Sequence, residues 1–376
     1  MNKLITEVNE LLKNGGFEYA FCGGRALDLF LGYESRTHGD TDVCAYWDDR
    51  DRIIRHMQSL GFEVYEMLGG GRAHHITDPA GPVRKKKNIF CCRDGCALVK
   101  TYPPDEDGCC WMEFFHTGQT RPDYVEFLFN DKTQEAFEYA GDREITLSLE
   151  KAVLFREGIP YLAPELCLLY KSTDTEREGY RQDFELAWQA MDPGRKEWLR
   201  KALLRSYPGG HPWLDTLKTE DLILHFANEN DLAEVARTWP SGHHPLSGEE
   251  ARGTVAGLCG NYGRNTRGQI FHLCLAVCRA EDPGTFIGWC GLDGSRNPAE
   301  PEIFILLEEE HRNRGYGTQC VRELLRAAAE EYGIQSVHGG CAKENIASKR
   351  AMEKGGMVQY GTEDNGDPLF RFRAGN

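Results

Sequence analysis

The sequence predicts an α/β (α+β) protein of more than one unit, and three observations carry that expectation. Apolar runs of strand length alternate with segments of helical period along the chain. Twice, at residues 19–31 and 302–328, a short apolar run meets a glycine-bearing loop and then a segment whose apolar residues share one helical face. The length of 376 residues exceeds one ordinary core, so two or three units are expected. Polar residues at 215–220 precede a fresh apolar run and mark a boundary.

Composition narrows the partners. The formal charge is −15, and the lysine run Lys85, Lys86, Lys87 is the one basic cluster. Binders of a nucleic-acid backbone show a clustered basic footprint, so a DNA partner is excluded. The acidic surplus instead favours a small cationic acceptor, steered toward negatively lined clefts. No run of eighteen apolar residues is present, so no membrane partner is expected. The first residues, MNKLITEVNELLKNGG, read as an amphipathic helix with Leu4, Val8, Leu11 and Leu12 on one face, not as an export signal. Fourteen cysteines are then expected as reduced thiols and the location as cytoplasmic. The oligomeric state is not fixed by the sequence.

Residues 19–22 read as a strand, Gly23 and Gly24 as a turn, and Ala26, Leu27, Phe30 and Leu31 as one face of a helix. Glycines there permit positive φ and close backbone approach, and the helix N-terminus offers unpaired N–H groups that suit a phosphate. Asp40 and Asp42 flank Thr41 just before an apolar run, so in a strand they share a face. Two carboxylates about 4 Å apart repel by roughly 4 kcal/mol at an effective dielectric of 20, and the pair calls for a proton, an arginine or a divalent cation. A magnesium ion that also holds a triphosphate would satisfy it. An isolated Asp-x-Asp reads first as a solvated turn; the two glycines upstream favour the metal reading.

The stretch GGRALDLFLGYESRTHGDTDV resembles the opening of the nucleotidyltransferase fold. It is closest to the aminoglycoside 2''-adenylyltransferase and lincosamide nucleotidyltransferase group, through Gly23, Gly24, Asp28, Arg36, His38, Asp40 and Asp42. Ser35 stands where Thr is usual, and Arg25 where Trp is common. The resemblance implies a mixed sheet with a helical subdomain, Mg2+, and ATP or another nucleoside triphosphate. Gly23, Gly24 and Arg36 would hold the triphosphate, while Asp40 and Asp42 would carry metal and chemistry.

Residues 48–60 read as a helix and GFEVYEML as the following strand. Residues 69–121 are the least legible. Cys92, Cys96, Cys109 and His116 are conceivable zinc ligands, against packed thiols in a β meander. DYVEFLFND, residues 123–131, alternates as a central strand, with Tyr124, Glu126, Leu128 and Asn130 on one face. Glu126 matches the acid on the family's neighbouring strand and becomes the third catalytic and metal-binding carboxylate, with Asp123 as the alternative. From Gly158, GIPYLAPELCLLYKS resembles the group's helical segment, and Lys171 is its lysine, a nucleotide-binding candidate. Phe184, Trp188 and Met191 then lie at helical spacing, and a second helix is expected at 192–207.

The second half reads strand (LILHFA), helices, then FHLCLAVCRA and TFIGWCGLDG as strands joined by an Asp-Pro-Gly turn. EIFILL follows, then EEEHRNRGYGTQC, a strand, glycine-rich loop and helix. Residues 220–374 resemble the GNAT acetyltransferases: Arg312, Gly315 and Gly317 match the family's Q/R-x-x-G-x-G/A loop, and Asn345 and Ser348 its N-x-x-S helix. The resemblance implies acetyl-CoA, held by Leu306, Leu307, Arg312, Asn313, Arg314, Gly315, Tyr316, Gly317, Thr318, Asn345 and Ser348. Glycines at 315 and 317 let consecutive N–H groups meet the pyrophosphate at the helix N-terminus. Met352 stands where many members place a Tyr as general acid. Glu302 resembles the acid some members use, though a solvated strand-end Glu is the plainer reading.

These expectations divide the chain into residues 1–157, nucleotidyltransferase-like; 158–217, its helical subdomain; and 220–376, a GNAT-fold acetyltransferase domain. The function expected is that of a two-enzyme transferase on small cationic molecules such as aminoglycoside-type antibiotics. Two other readings stay open: a first unit that binds without catalysing, and a protein or tRNA acceptor, for which a lysine run beside the Asp40 cleft would speak.

Overall fold

The computed structural model of the chain describes every residue except Met1, Asn2, Pro82, Arg84, Lys85, Lys86, Lys87, His116, Thr117, Asp215, Ser241, Gly242, His243, His244 and Asn376. Two compact units result, Met1–Asp192 and Pro193–Asn376. The helix Pro193–Ser206, grouped with the first half on sequence, therefore clusters with the second. Its Arg200 reaches Glu331 at 2.8 Å, both side chains being buried.

The first unit is built on a mixed sheet. Its order runs Val153–Arg156, Ile159–Leu162, Tyr19–Phe21, Asp42–Tyr46, Tyr124–Lys132, Asn88–Cys92, Glu63–Gly69, Arg72–His75, Cys109–Phe114, Val99–Thr101. Two pairings are parallel: Tyr19–Phe21 with Ile159–Leu162, and Asp42–Tyr46 with Tyr124–Lys132. The N-terminal helix is Lys3–Leu12 and buries Leu4, Ile5, Val8 and Leu12. The helix Gly23–Leu31 packs against Pro164–Lys171 and Tyr180–Ala190, burying Ala26, Leu27 and Leu29. It begins at Gly23 itself, so the two glycines form its first turn and do not precede it. The strands between residues 63 and 114 do not follow the expected meander, since Asn88–Cys92 pairs with Glu63–Gly69 and Arg72–His75 with Cys109–Phe114, but the thiols do pack: Cys92, Cys96 and Cys110 lie in one apolar cluster with Tyr65, Phe90 and Tyr124. All fourteen cysteines are free.

The second unit is a largely antiparallel sheet. Its order is Leu217–Lys218, Leu222–Phe226, His272–Arg279, Phe286–Asp293, Glu302–Leu307, Ser336–Gly340, Pro368–Arg373, Val358–Thr362. Its one parallel pairing, Glu302–Leu307 with Ser336–Gly340, rests on a single register pair, Glu302 opposite His338. The ladder stops there, and the strands part toward Leu307 and Gly340. The helix Tyr316–Glu330 buries Cys320, Val321, Leu324, Leu325, Ala327 and Ala328, the stripe expected from its period. The helix Ile346–Gly355 lies close upon it; a Cβ on Gly355 would fall 2.3 Å from Val321 Cγ1. Among the described residues no helix is long and apolar enough to cross a membrane.

Candidate functional site

In the first unit the parallel pairing of Asp42–Tyr46 with Tyr124–Lys132 sets Asp42 directly opposite Glu126. Thr41 is buried and donates its hydroxyl to Gln119 Oε1 at 2.7 Å, and Gln119 in turn donates to the Tyr124 carbonyl at 2.8 Å. That latch turns Thr41 inward, so its two neighbours face the opposite way. Asp40, Asp42 and Glu126 consequently offer carboxylate oxygens that all lie within 4.8 Å of one another. Burial, then the charges of Asp40 and Glu126, push the Asp42 carboxyl well above its usual range, opposed by Lys171 and Arg177. Burial also raises Glu126, opposed by hydrogen bonds from Asn88 and from the Tyr124 hydroxyl. Hard oxygen donors under mutual repulsion suit a magnesium-sized cation.

The two glycines are required by close approach. Gly23 has φ +64°, and a Cβ there would sit 2.6 Å from Asp42 Oδ2. A Cβ on Gly24 would meet His38 Nδ1 at 2.3 Å. His38 is buried and joined through Nε2 to Asp28 Oδ2 at 2.6 Å, while Asp28 Oδ1 accepts from the Ser35 hydroxyl and backbone N–H. Ser35 thus fills the polar role at its position, and Asp28 acts as a clasp between helix and loop.

Arg36, a triphosphate ligand by resemblance, lies against the helix Tyr180–Ala190. Its Nε and Nη2 donate to the two carboxylate oxygens of Asp183 at 2.9 and 2.8 Å, and Nη1 donates to the Thr37 carbonyl. Lys171 Nζ is 3.0 Å from the same Asp183 and lies over the Tyr180 ring. Both cations are thus tied to the helix Tyr180–Ala190. Asp123, the alternative to Glu126, lies beside the Cys96 thiol.

In the second unit the loop after Glu302–Leu307 bends at Asn313, φ +62°, and at Gly315, φ +85°, which is the N-cap of the helix Tyr316–Glu330. The N–H groups of Tyr316 and Gly317 lack an i−4 carbonyl within the helix and point out of its end, while Thr318 N–H donates to the Gly315 carbonyl at 3.1 Å. Gly317 has no positive φ, and a Cβ there would make only an ordinary contact with the Ala351 Cβ, at 3.5 Å, so neither backbone nor packing demands glycine at this position. Arg312 Nε donates to the Leu307 carbonyl at 2.9 Å, bracing the loop against the strand. Leu306, 45% exposed, stands beside Leu307 where the parallel strands part. Asn345 caps the helix Ile346–Gly355 by accepting from Ser348 N–H at 3.0 Å. Glu302 is exposed at the head of its strand. Met352 is buried. Arg314 carries no special geometry.

Of the zinc candidates, Cys110 and not Cys109 joins Cys92 and Cys96; His116 lies outside the described residues, as does the lysine run at 85–87. Glu308, Glu310 and His311 also converge, but Glu308 already pairs with Arg237 at 2.5 Å. Sequence reasoning missed Asn88 and Gln119 around the acids, and His338 beside Glu302. None carries a motif: Asn88 and His338 arrive by sheet register, and Gln119 from the loop before the strand Tyr124–Lys132.

Residues 213–358 match the family model described as acetyltransferase (GNAT) domain. The second unit therefore contains a GNAT acetyltransferase domain. Similar solved structures include a GNAT-family acetyltransferase from Bordetella pertussis, at 20% identity and TM-score 0.35, covering 43% of this chain and 99% of that one. The ribosomal-protein-S5-alanine acetyltransferase of Vibrio fischeri matches at 14% identity and TM-score 0.36, covering 43% and 98%. RimL, a ribosomal L7/L12 alpha-N-protein acetyltransferase in complex with coenzyme A, matches at 16% identity and TM-score 0.34, covering 42% and 98%. No curated protein matches the chain.

Proposed function

We propose that the chain couples two transferases, an acetyl-CoA-dependent N-acetyltransferase in its second unit and a magnesium-dependent nucleotidyltransferase in its first, both acting on small cationic acceptors. The acetyltransferase reading rests on one observation above others: a glycine-capped helix N-terminus at the open end of a parting parallel strand pair, inside a matched GNAT domain. Acetyl-CoA supplies the acetyl group as a thioester. The N–H groups at Tyr316 and Gly317 bind the anionic end of the coenzyme, Leu306 and Leu307 give its arm an apolar wall, and the Asn345 cap fixes the flanking helix.

The nucleotidyltransferase reading rests on the convergence of Asp40, Asp42 and Glu126 beside the start of the helix Gly23–Leu31. These carboxylates would hold Mg2+, which neutralises phosphate charge when bound. Gly23 and Gly24 leave room for phosphate oxygens at the helix start, and Glu126, raised toward neutrality, suits the transfer of an acceptor hydroxyl's proton. Isothermal titration with acetyl-CoA and with ATP plus Mg2+ tests both. The pair Asp40→Asn with Asp42→Asn should abolish nucleotide binding and leave acetyl-CoA binding intact. Nucleotide affinity unchanged by the double substitution would remove the first unit from the reading.

A further inference from the structure

Met352 is buried and has no proton to give or take. Proton transfer in the acetyltransferase must therefore be served from elsewhere in the second unit. The strand faces show where. A Cβ on Gly339 would meet Ile303 Cγ2 at 2.9 Å and Met352 Sδ at 3.0 Å, so Gly339 and Ile303 face the helix Ile346–Gly355. Their neighbours His338 and Glu302 face the opposite side of the sheet, side by side at the point where the parallel strands part. From Leu307 back to Glu302 is five residues, about 17 Å of strand at about 3.3 Å each. An extended thioester arm anchored at the loop 312–317 spans that distance.

On this face Tyr360, half-exposed on the edge strand, lies across the intervening strand with Arg371 Cζ 4.4 Å from its ring centroid. Its hydroxyl reaches His338 Nδ1 at 3.4 Å, and His338 Nε2 is 3.6 Å from Glu300 Oε2. The charged and titratable groups facing His338 are thus Glu300 from the preceding loop, Glu302 in register on one side, Arg371 in register on the other, and Tyr360. A hydroxyl, an imidazole and a carboxylate in series form the arrangement by which a weak base is strengthened.

We propose that Tyr360 and His338, oriented by Glu300, are the proton-transfer pair of the acetyltransferase, a proposal that rests on the acetyltransferase reading above. With Tyr360 O–H donating to Nδ1, the ring proton sits on Nε2, toward Glu300. The acceptor's free amine nitrogen attacks the thioester carbonyl carbon; the C–N bond forms, the C–S bond breaks, and sulfur leaves with the electron pair. Tyr360 Oη takes the nitrogen's proton as its own passes to His338 Nδ1. The reverse transfer protonates the thiolate, and the pair ends the turnover as it began.

Two measurements on the full chain test this. The first is the 15N chemical shifts of the His338 ring in the ligand-free protein, which report its tautomer and hydrogen bonds. The ring proton should sit on Nε2, Tyr360→Phe should move the Nδ1 resonance because it removes the donor, and Glu300→Gln should move the Nε2 resonance. The second is acetyl-CoA turnover, followed by thiol release with spermidine, kanamycin or water as acceptor. His338→Gln and Tyr360→Phe should each lower kcat by about 100-fold, in the usual range for acid–base groups, while acetyl-CoA affinity stays within about twofold of wild type. A His338 Nδ1 resonance indifferent to Tyr360→Phe overturns the proposal, and so does kcat within about threefold of wild type in both variants. Failure of the wild type to bind acetyl-CoA in calorimetry would instead overturn the acetyltransferase reading and this pair with it.

Discussion

Single atoms decide what the acid cluster can do. Asp42 carries a carboxyl raised well above its usual range by burial, then by Asp40 and Glu126, so the folded chain binds a proton there more tightly than the unfolded chain does. Its stabilising contribution is full below the unfolded value of 3.8 and is lost as pH rises through the raised one. On the proposed reading a divalent cation would take the proton's place. The rise in melting temperature on adding Mg2+ should therefore be larger at pH 8 than at pH 5 and absent in Asp42→Asn; a shift independent of pH in scanning fluorimetry would contradict this. Glycines give a second test at the same scale. Gly315 sits at φ +85° with open space where a Cβ would go, so Gly315→Val combines backbone strain of about 1 kcal/mol or more with a branched group in the path of an anion. Acetyl-CoA affinity should fall more than tenfold in calorimetry, and Arg312→Ala should be milder because Arg312 is spent on the Leu307 carbonyl. Gly317→Ala, at an ordinary φ and facing Ala351, should be the mildest.

Elements are tied together by pairs that no local pattern reveals. Asp183 is fully buried and accepts from Arg36 and Lys171; burial pushes its carboxyl up, but the hydrogen bonds from Arg36 and the charge of Lys171 outweigh that and hold it below the usual range. Removing one partner of a buried pair leaves the others uncompensated, at a cost of about 3–5 kcal/mol. Asp183→Asn should lower the stability of the first unit by about that order in urea, and a loss under 1 kcal/mol would show the tie to be dispensable. Arg36 and Asp183 are 147 residues apart, so their pairing could not be read along the chain. What was legible was local. The stripe of Val321, Leu324, Leu325 and Ala328 and the alternation along residues 123–131 each follow from the chemistry of residues within a turn or two of one another. Asp42 and Glu126 were legible as acids on strands; their meeting depends on parallel register, which sequence leaves open. The chain of Tyr360, His338 and Glu300 was illegible for the same reason, since a tyrosine on the edge strand crosses a neighbour to reach its partner.

At the scale of the whole molecule the charge of −15 sets the long-range field. Acetyl-CoA, and the nucleotide proposed for the first unit, are anions that this field opposes, so their binding would have to come from short-range donors such as, for the coenzyme, the N–H groups at Tyr316 and Gly317. A cationic acceptor gains instead, because a negative molecule raises its local concentration and speeds encounter. That gain is screened as the Debye length contracts, from about 30 Å at 0.01 M to about 8 Å at 0.15 M salt. The kcat/KM for a polyamine acceptor such as spermidine should thus fall several-fold between 0.01 and 0.15 M NaCl, while that for a neutral acceptor of similar size stays within about twofold. Acetyl-CoA affinity should not weaken over the same range, since screening relieves repulsion as much as it dims attraction. A polyamine rate indifferent to salt would mean that the acidic surplus lies away from the route of entry, and the proposed preference for cationic acceptors would then have to rest on contacts inside the cleft alone.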